Sequence, residues 1–395
     1  MKSYGSLIRG ILLIAGTSLG GGMLALPVLT GQVGFFPSIV VYLCCWLFMT
    51  LTGLLFLELA LWMEPEANIV TMADNTLGGW GKTVAWGLYL FLFYCLTLAY
   101  IVGVGDLIVE SMAGSIALKE WQGQLIFLVI FAPFVYAGAR LVGRFNFFLM
   151  IGLAVSYIAF VVLGAPKVRS ELLLTTNWSK LWTALPITFT AFAYQGTIPT
   201  LVHYMHRNVR QIRLAIIIGS FLPLIAYTVW QWLILGIVPV EGAGGLNETM
   251  LNGLNAVQPL KNILNDSSVY IVGQYFAFFA LVTSFLGVAL GLLDFLADGL
   301  KVKKTPAGKF ALCLLVFVPP AIFAFTHPHV FLIALDYAGG FGCALLLGLL
   351  PVLMVWSGRY KHGLKGEYSV FGGRWLLSAL IIFVIIELAC QFSLM

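Results

Sequence analysis

Charge is scarce in this sequence. Asp, Glu, Lys and Arg make up 9% of the 395 residues, against about 25% in an ordinary soluble domain. The apolar share is 61% and the mean hydropathy is +1.00. No wetted exterior can be built from that composition, which excludes a soluble enzyme, a nucleic-acid binder and a disordered chain. Organised cysteine is missing too. Cys44, Cys45, Cys95, Cys313, Cys343 and Cys390 all fall in apolar stretches, without the spacing of a metal site, redox motif or disulfide framework. They read as small buried hydrophobes. Long polar segments are also lacking. The longest runs from Pro239 to about Ser267, so no soluble domain fits between the apolar ones.

What remains is apolar sequence in pieces of bilayer length, about 20 residues each. They fall at 6–31, 35–62, 84–113, 124–140, 145–165, 182–205, 212–238, 268–298, 308–326, 329–357 and 374–394. The expected fold class is therefore an all-α membrane protein of eleven transmembrane helices. The first piece is too long and too glycine-rich for a cleaved signal. With the N-terminus placed in the cytoplasm, sixteen of the 21 Lys and Arg residues lie inside and five outside. That asymmetry orients the chain N-in and C-out.

Two segments break the rules for a membrane helix. The first carries Gly16-Thr17-Ser18-Leu19-Gly20-Gly21-Gly22 and then Pro27; the sixth carries Phe192-Ala193-Tyr194-Gln195-Gly196 and then Pro199. Glycine costs about 1 kcal/mol and proline about 3 kcal/mol relative to alanine inside a helix. Unpaired backbone in hydrocarbon costs several kcal/mol more per group, so such a segment persists only where it lines a protein cavity. The competing explanation for the glycines is close helix packing. The two breaks lie five segments apart. Five is odd, so the second set of five crosses the membrane in the opposite sense. Inverted repeats over approximately 6–165 and 182–357, with 374–394 as an extra helix, follow from that count, and a binding site between them.

A broken helix presents amides at one half-helix end and carbonyls at the other. The amides of Gly20, Gly21 and Gly22 suit a carboxylate. The carbonyls near Ala15, Gly16 and Ser18, with those of Phe192 and Ala193, suit an ammonium group or a metal cation. A zwitterionic α-amino acid matches both ends without any charged side chain. Tyr94 and Tyr100 of the third segment, with Phe192 and Tyr194, are candidates for its side-chain pocket. Thr283 and Ser284 in the eighth segment either bond back to their own helix or join Ala15 and Ser18 in an oxygen cage for sodium. Acids at membrane depth are functional suspects. Glu58, Asp106 and Asp336 are the candidates for proton coupling. Glu58, Asp294 and Asp298 are positioned to pair with basic inner loops. Glu387, outside the repeats, reads as structural.

These residues resemble the hydroxy and aromatic amino acid permease family of the amino acid–polyamine–organocation superfamily. Gly16-Thr17 through Gly20-Gly21-Gly22-Met23 to Pro27 looks like that family's first helix. The stretch from Thr283-Ser284-Phe285-Leu286-Gly287 to Asp294-Phe295-Leu296-Ala297-Asp298 is similar to its eighth and is the more specific piece. The resemblance covers the whole chain. It implies a LeuT-like fold and secondary uptake of tyrosine or tryptophan, usually proton-driven, across a bacterial inner membrane, with the tyrosine-specific branch nearest. Proton-coupled members of the superfamily often carry a lysine in the fifth helix. The segment Phe145–Gly164 has none, which leaves sodium open. The expected partners are the aromatic amino acid and the bilayer, with no nucleic acid, no cofactor, and a monomer as the working state. A membrane-embedded enzyme would need a nucleophile, a metal cluster or an acid–base pair at one depth, and no His or Cys constellation of that kind is present. A channel would show charged rings or pore motifs.

Overall fold

The structure is a computed structural model, and it describes residues 2–64, 67–114, 116–264 and 267–394. In chain order its principal helices are α1 (Lys2–Ser18), α2 (Gly22–Thr30), α3 (Phe35–Trp62), α4 (Ile69–Leu77), α5 (Gly79–Met112), α6 (Glu120–Ala137) and α7 (Ala139–Gly164). There follow α8 (Leu185–Ala191), α9 (Ile198–Tyr204), α10 (Val209–Ile237), α11 (Ser267–Gly299), α12 (Pro306–Thr326), α13 (Phe331–Tyr360) and α14 (Gly373–Leu394). Among the described residues, nine helices are long and apolar enough to cross a membrane, and the bent pair α1–α2 makes a tenth.

That count differs from the expected eleven at the sixth segment. Its two halves, α8 and α9, have seven residues each, and neither reaches bilayer length by itself. The non-helical stretch Phe192–Tyr194 and one tight turn, Gln195–Thr197, separate them. Pro199 does not break a helix here. It stands at the start of α9, where a residue without an N–H loses nothing.

The outside of the bundle is apolar. On α7, Phe148, Ile151, Val155, Ile158 and Val162 stand exposed at alternating three- and four-residue spacing, one stripe of a helix. A soluble protein does not leave such a stripe bare. Inside, α11 lies along α7 and α5, α1 lies along α10, and α8 packs on the middle of α13. That middle section, Ala338–Leu349, is π-helical. Buried polar side chains bond across helices. Tyr42 Oη donates to Gln231 Oε1 (2.8 Å), and Gln231 Nε2 donates to Thr30 Oγ1 (2.7 Å), which joins α3, α10 and α2.

Candidate functional site

The glycine run bends the chain by 51° between α1 and α2. None of Gly20, Gly21 and Gly22 has a positive φ. Their need for hydrogen as a side chain comes from contact. A Cβ on Gly20 would collide with Ser284 Oγ of α11. One on Gly21 would lie 2.5 Å from the Tyr100 ring and 2.9 Å from Leu281 Cδ2. One on Gly22 would meet the backbone of Ala191 at 3.3 Å. The break and the close packing set against each other in the sequence thus coexist. Three consecutive glycines let three helices, α11, α5 and α8, reach the same bend.

A cavity of about 520 Å³ opens there. Its wall includes Gly16, Thr17, Ser18, Gly20, Gly21 and Gly22 from the first break, and Ala193, Tyr194 and Gly196 from the second. Tyr100, Thr190, Thr283, Ser284, Cys343, Leu346 and Asn146 complete much of the rest. Among the described residues, no Asp, Glu, Lys, Arg or His lines it. A second cavity of about 490 Å³ shares Ile69, Tyr89, Gly196 and Gly291 with the first and continues past His203, Asp294 and Asp298. The site is therefore open toward the end of the bundle where α9 and α11 finish. Toward the opposite end the helices pack tightly. Phe331 fits against Gly103 and Leu246 against Gly31, both too tightly for an added methyl group.

Several expected contacts lie outside this wall. Tyr94 turns away and donates its hydroxyl to the Leu315 carbonyl at 2.8 Å. Phe192 is buried behind the break, its ring edge-on to Tyr227 at 5.0 Å. Gln195 aims its amide at α3, donating to the Met49 carbonyl and Thr52 Oγ1, each at 3.1 Å. It accepts the Tyr194 amide at 2.9 Å, and Tyr194 Oη donates to the same Met49 carbonyl at 3.1 Å. Gln195 thus pins the break to α3, while only the Tyr194 body faces the cavity. The reason is local. The buried backbone of a broken helix must find hydrogen-bond partners; Gln195 Oε1 supplies one to the Tyr194 amide, and both side chains anchor the break on α3.

The ends of the half-helices are also partly engaged. The Gly21 amide donates to Ser284 Oγ at 3.2 Å. Tyr227 Oη of α10 sits 2.5 Å from the Ser18 carbonyl and 2.7 Å from the Ala191 carbonyl. The Ala15 carbonyl takes the Leu19 amide at 2.9 Å, and Thr283 Oγ1 bonds back to Phe279 O at 2.8 Å. Each of the four residues proposed for a sodium cage thus has one oxygen with a protein partner, while Ser18 Oγ is buried without one among the described residues. Asn146 and Tyr227 were not foreseen. Asn146 lines the cavity, and its Oδ1 is buried with no partner among the described residues. Neither stands in a motif: Asn146 follows Arg140 and Arg144, and Tyr227 adjoins Thr228 and precedes Gln231.

A hydroxyl has one proton, so Tyr227 satisfies one of its two carbonyls at a time. Tyr227→Phe leaves both without a donor. Burying an unsatisfied acceptor costs about 1–3 kcal/mol, and here the cost falls on the junction of the two breaks. Uptake by the variant is expected to drop about tenfold with insertion intact. An uptake rate within about twofold of the parent would show that this bridge is dispensable.

The acids are dispersed. Glu58 is ion-paired with Arg359. Glu110 meets Lys261 at 3.5 Å, and Asp294 meets Lys304 at 2.7 Å. Asp106 lies near Glu110 and Glu120, away from the cavity. Asp336 accepts from Gln391 Nε2 at 3.0 Å on the far side of α13.

Comparison with known proteins gives this geometry a context. The model of the tryptophan/tyrosine permease family matches residues 3–391. The tyrosine-specific transport system 1 of Haemophilus influenzae is 34% identical, over 98% of this chain and 96% of that protein. A tryptophan-specific transport protein of the same organism is 31% identical, over 98% and 95%. Among solved structures, MhsT in complex with L-phenylalanine superposes with a TM-score of 0.65 over 98% of each chain at 16% identity. The fold is that of the LeuT-like transporters, and the chain is a multi-pass membrane protein. It belongs to the tryptophan/tyrosine permease family, a family of transport permeases and not of enzymes.

Proposed function

We propose that this protein is a secondary active transporter that imports an aromatic amino acid by ion-coupled symport and alternating access. Tyrosine is the favoured substrate, ahead of tryptophan and phenylalanine, and the proton is the favoured ion. The observation that carries the reading is the uncharged cavity at two helix breaks. Its volume lies in the range of small-molecule sites. Its wall offers half-helix ends for the ammonium and carboxylate groups and apolar side chains for a ring. Gly16, Thr17, Ser18 and Gly20–Gly22 are assigned to the substrate backbone, and Tyr100, Ala193, Tyr194 and Gly196 to the space around its side chain. The names of the relatives support the aromatic class. The preference for the proton follows the family resemblance and not the cage oxygens, because Thr283 Oγ1 donates its proton and keeps its lone pairs and Ser18 Oγ is buried without a partner among the described residues. The setting is the bacterial inner membrane, with the N-terminus cytoplasmic, the C-terminus periplasmic and the working unit a monomer. The cavity then opens to the cytoplasm.

Reconstituted proteoliposomes test this. Uptake of radiolabelled tyrosine is expected to saturate, to require an imposed pH gradient, acid outside, and to collapse with a protonophore. Unlabelled tryptophan and phenylalanine are expected to compete more weakly than tyrosine. Non-saturating flux would reject the carrier reading. Uptake that follows a sodium gradient at constant pH would reject the proton.

A further inference from the structure

The function proposed above needs a group that gains and loses a proton, and among the described residues the substrate cavity offers no carboxylate, amine, guanidinium or imidazole, only tyrosine hydroxyls and the Cys343 thiol. Away from it, three polar side chains meet between α13 and α14. Glu387 of α14 is 0% exposed, and neither of its carboxyl oxygens has a partner among the described residues. Gln391, one turn further on and 1% exposed, donates Nε2 to Asp336 Oδ2 at 3.0 Å. Its Oε1 is also buried without a partner. The amide of Gln391 fills the notch at Gly340, where a Cβ would strike it. The other titratable groups around Glu387 are the thiols of Cys45 on α3, Cys343 on α13 and Cys390 on α14. Among the described residues, no base forms an ion pair with either acid.

We propose that the Asp336–Gln391–Glu387 cluster binds and releases the coupled proton, an inference that rests on the proton-symport reading. A bare carboxylate cannot be held at such a position, so Glu387 carries its proton in this conformation. Ionisation requires a conformation in which water or the Gln391 amide reaches it. One proton then leaves one carboxyl oxygen as hydronium and returns from the other side of the membrane. The connection to the substrate site is short. Leu335, next to Asp336, accepts Thr190 Oγ1 through its carbonyl at 2.7 Å. Thr190 lines the cavity and precedes Ala191, whose carbonyl meets Tyr227. Gly339 rests directly on the Pro186 carbonyl of α8. Immediately after Asp336 and Tyr337 the helix turns π-helical. Such turns are rare and recur at functional sites, and an exchange between π and α winding would supply the two-state element that a coupling device needs.

The test compares two rates for one preparation in proteoliposomes: tyrosine accumulation under an imposed pH gradient, and tyrosine–tyrosine counterflow without one. For Glu387→Gln the ratio of accumulation to counterflow is expected to fall at least tenfold, with Glu387→Asp recovering part of it. Asp336→Asn, which keeps an acceptor for Gln391, provides a second and independent variant. It is expected to lower the same ratio and to flatten the pH profile of accumulation. A ratio equal to the parent's in both variants would overturn the assignment, since a merely structural role lowers both rates together. A parent that shows counterflow but ignores the pH gradient would overturn proton symport and this site with it. Absence of counterflow in the parent would reject the carrier itself.

Discussion

Gly21→Leu is expected to reduce tyrosine uptake by at least a hundredfold while the protein still inserts and elutes as a single species in detergent. The first atom of the new side chain already lies 2.5 Å from the Tyr100 ring and 2.9 Å from Leu281 Cδ2. Three further carbons must then enter the cavity or force α5 and α11 apart. Interiors this densely packed do not yield to such a change without displacement. The consequence is confined to the bend because α1 and α2 are separately helical on either side of it. Gly87→Leu is the matched control. That glycine lies in α5 with nothing within 4 Å of an added Cβ, and the variant is expected to transport within about twofold of the parent. Radiolabelled uptake normalised to protein in the membrane decides the matter. Wild-type uptake by Gly21→Leu would remove the glycine bend from the substrate site.

The same bend shows what the sequence could and could not disclose. Ten of the eleven expected spans were legible, because an apolar run of bilayer length has few alternative fates. The break at Gly20–Gly22 was also legible, since four glycines in seven residues contradict a membrane helix on composition alone. The reason for each glycine was not, because it depends on Ser284, Tyr100 and Ala191, which approach from remote parts of the chain. The sixth segment misled in a different way. Phe192 and Gln195 adjoin the break in sequence, yet they face α10 and α3. Neighbours along a non-helical stretch point to different sides, and periodicity carries no information there. Tyr227 and Asn146 escaped because neither belongs to a spaced motif that sets it apart from the other polar residues of its helix. Their roles appear only once the half-helix carbonyls and the cavity wall have positions.

Arg359→Gln is the substitution expected to cost most in stability. Glu58 is 1% exposed and accepts Arg359 Nε at 2.7 Å through Oε1, while Nη2 completes a two-pronged contact through Oε2. Oε2 also accepts the Val370 amide at 2.7 Å, and Arg359 Nη2 reaches the Val370 carbonyl at 3.0 Å. This arrangement ties α3, α13 and the segment leading to α14 together. It matches the expected pairing of Glu58 with a basic residue of the inner loops, and it leaves Glu58 ill suited to proton coupling, because its charge is matched in place. Removing the guanidinium strands a carboxylate with one amide for company. Breaking a buried pair from one side costs roughly 3–5 kcal/mol. The pair itself is worth much less than that, because forming it required stripping water from both ions. The double variant Glu58→Met with Arg359→Met is therefore expected to recover most of the lost thermal stability, measured by size-exclusion chromatography of heated samples in detergent. Tyrosine uptake by the double variant then separates scaffold from coupling. Uptake near the parent's, with its pH dependence kept, identifies the pair as a clasp. Loss of the pH dependence alone would return Glu58 to the coupling path and weaken the case for Glu387.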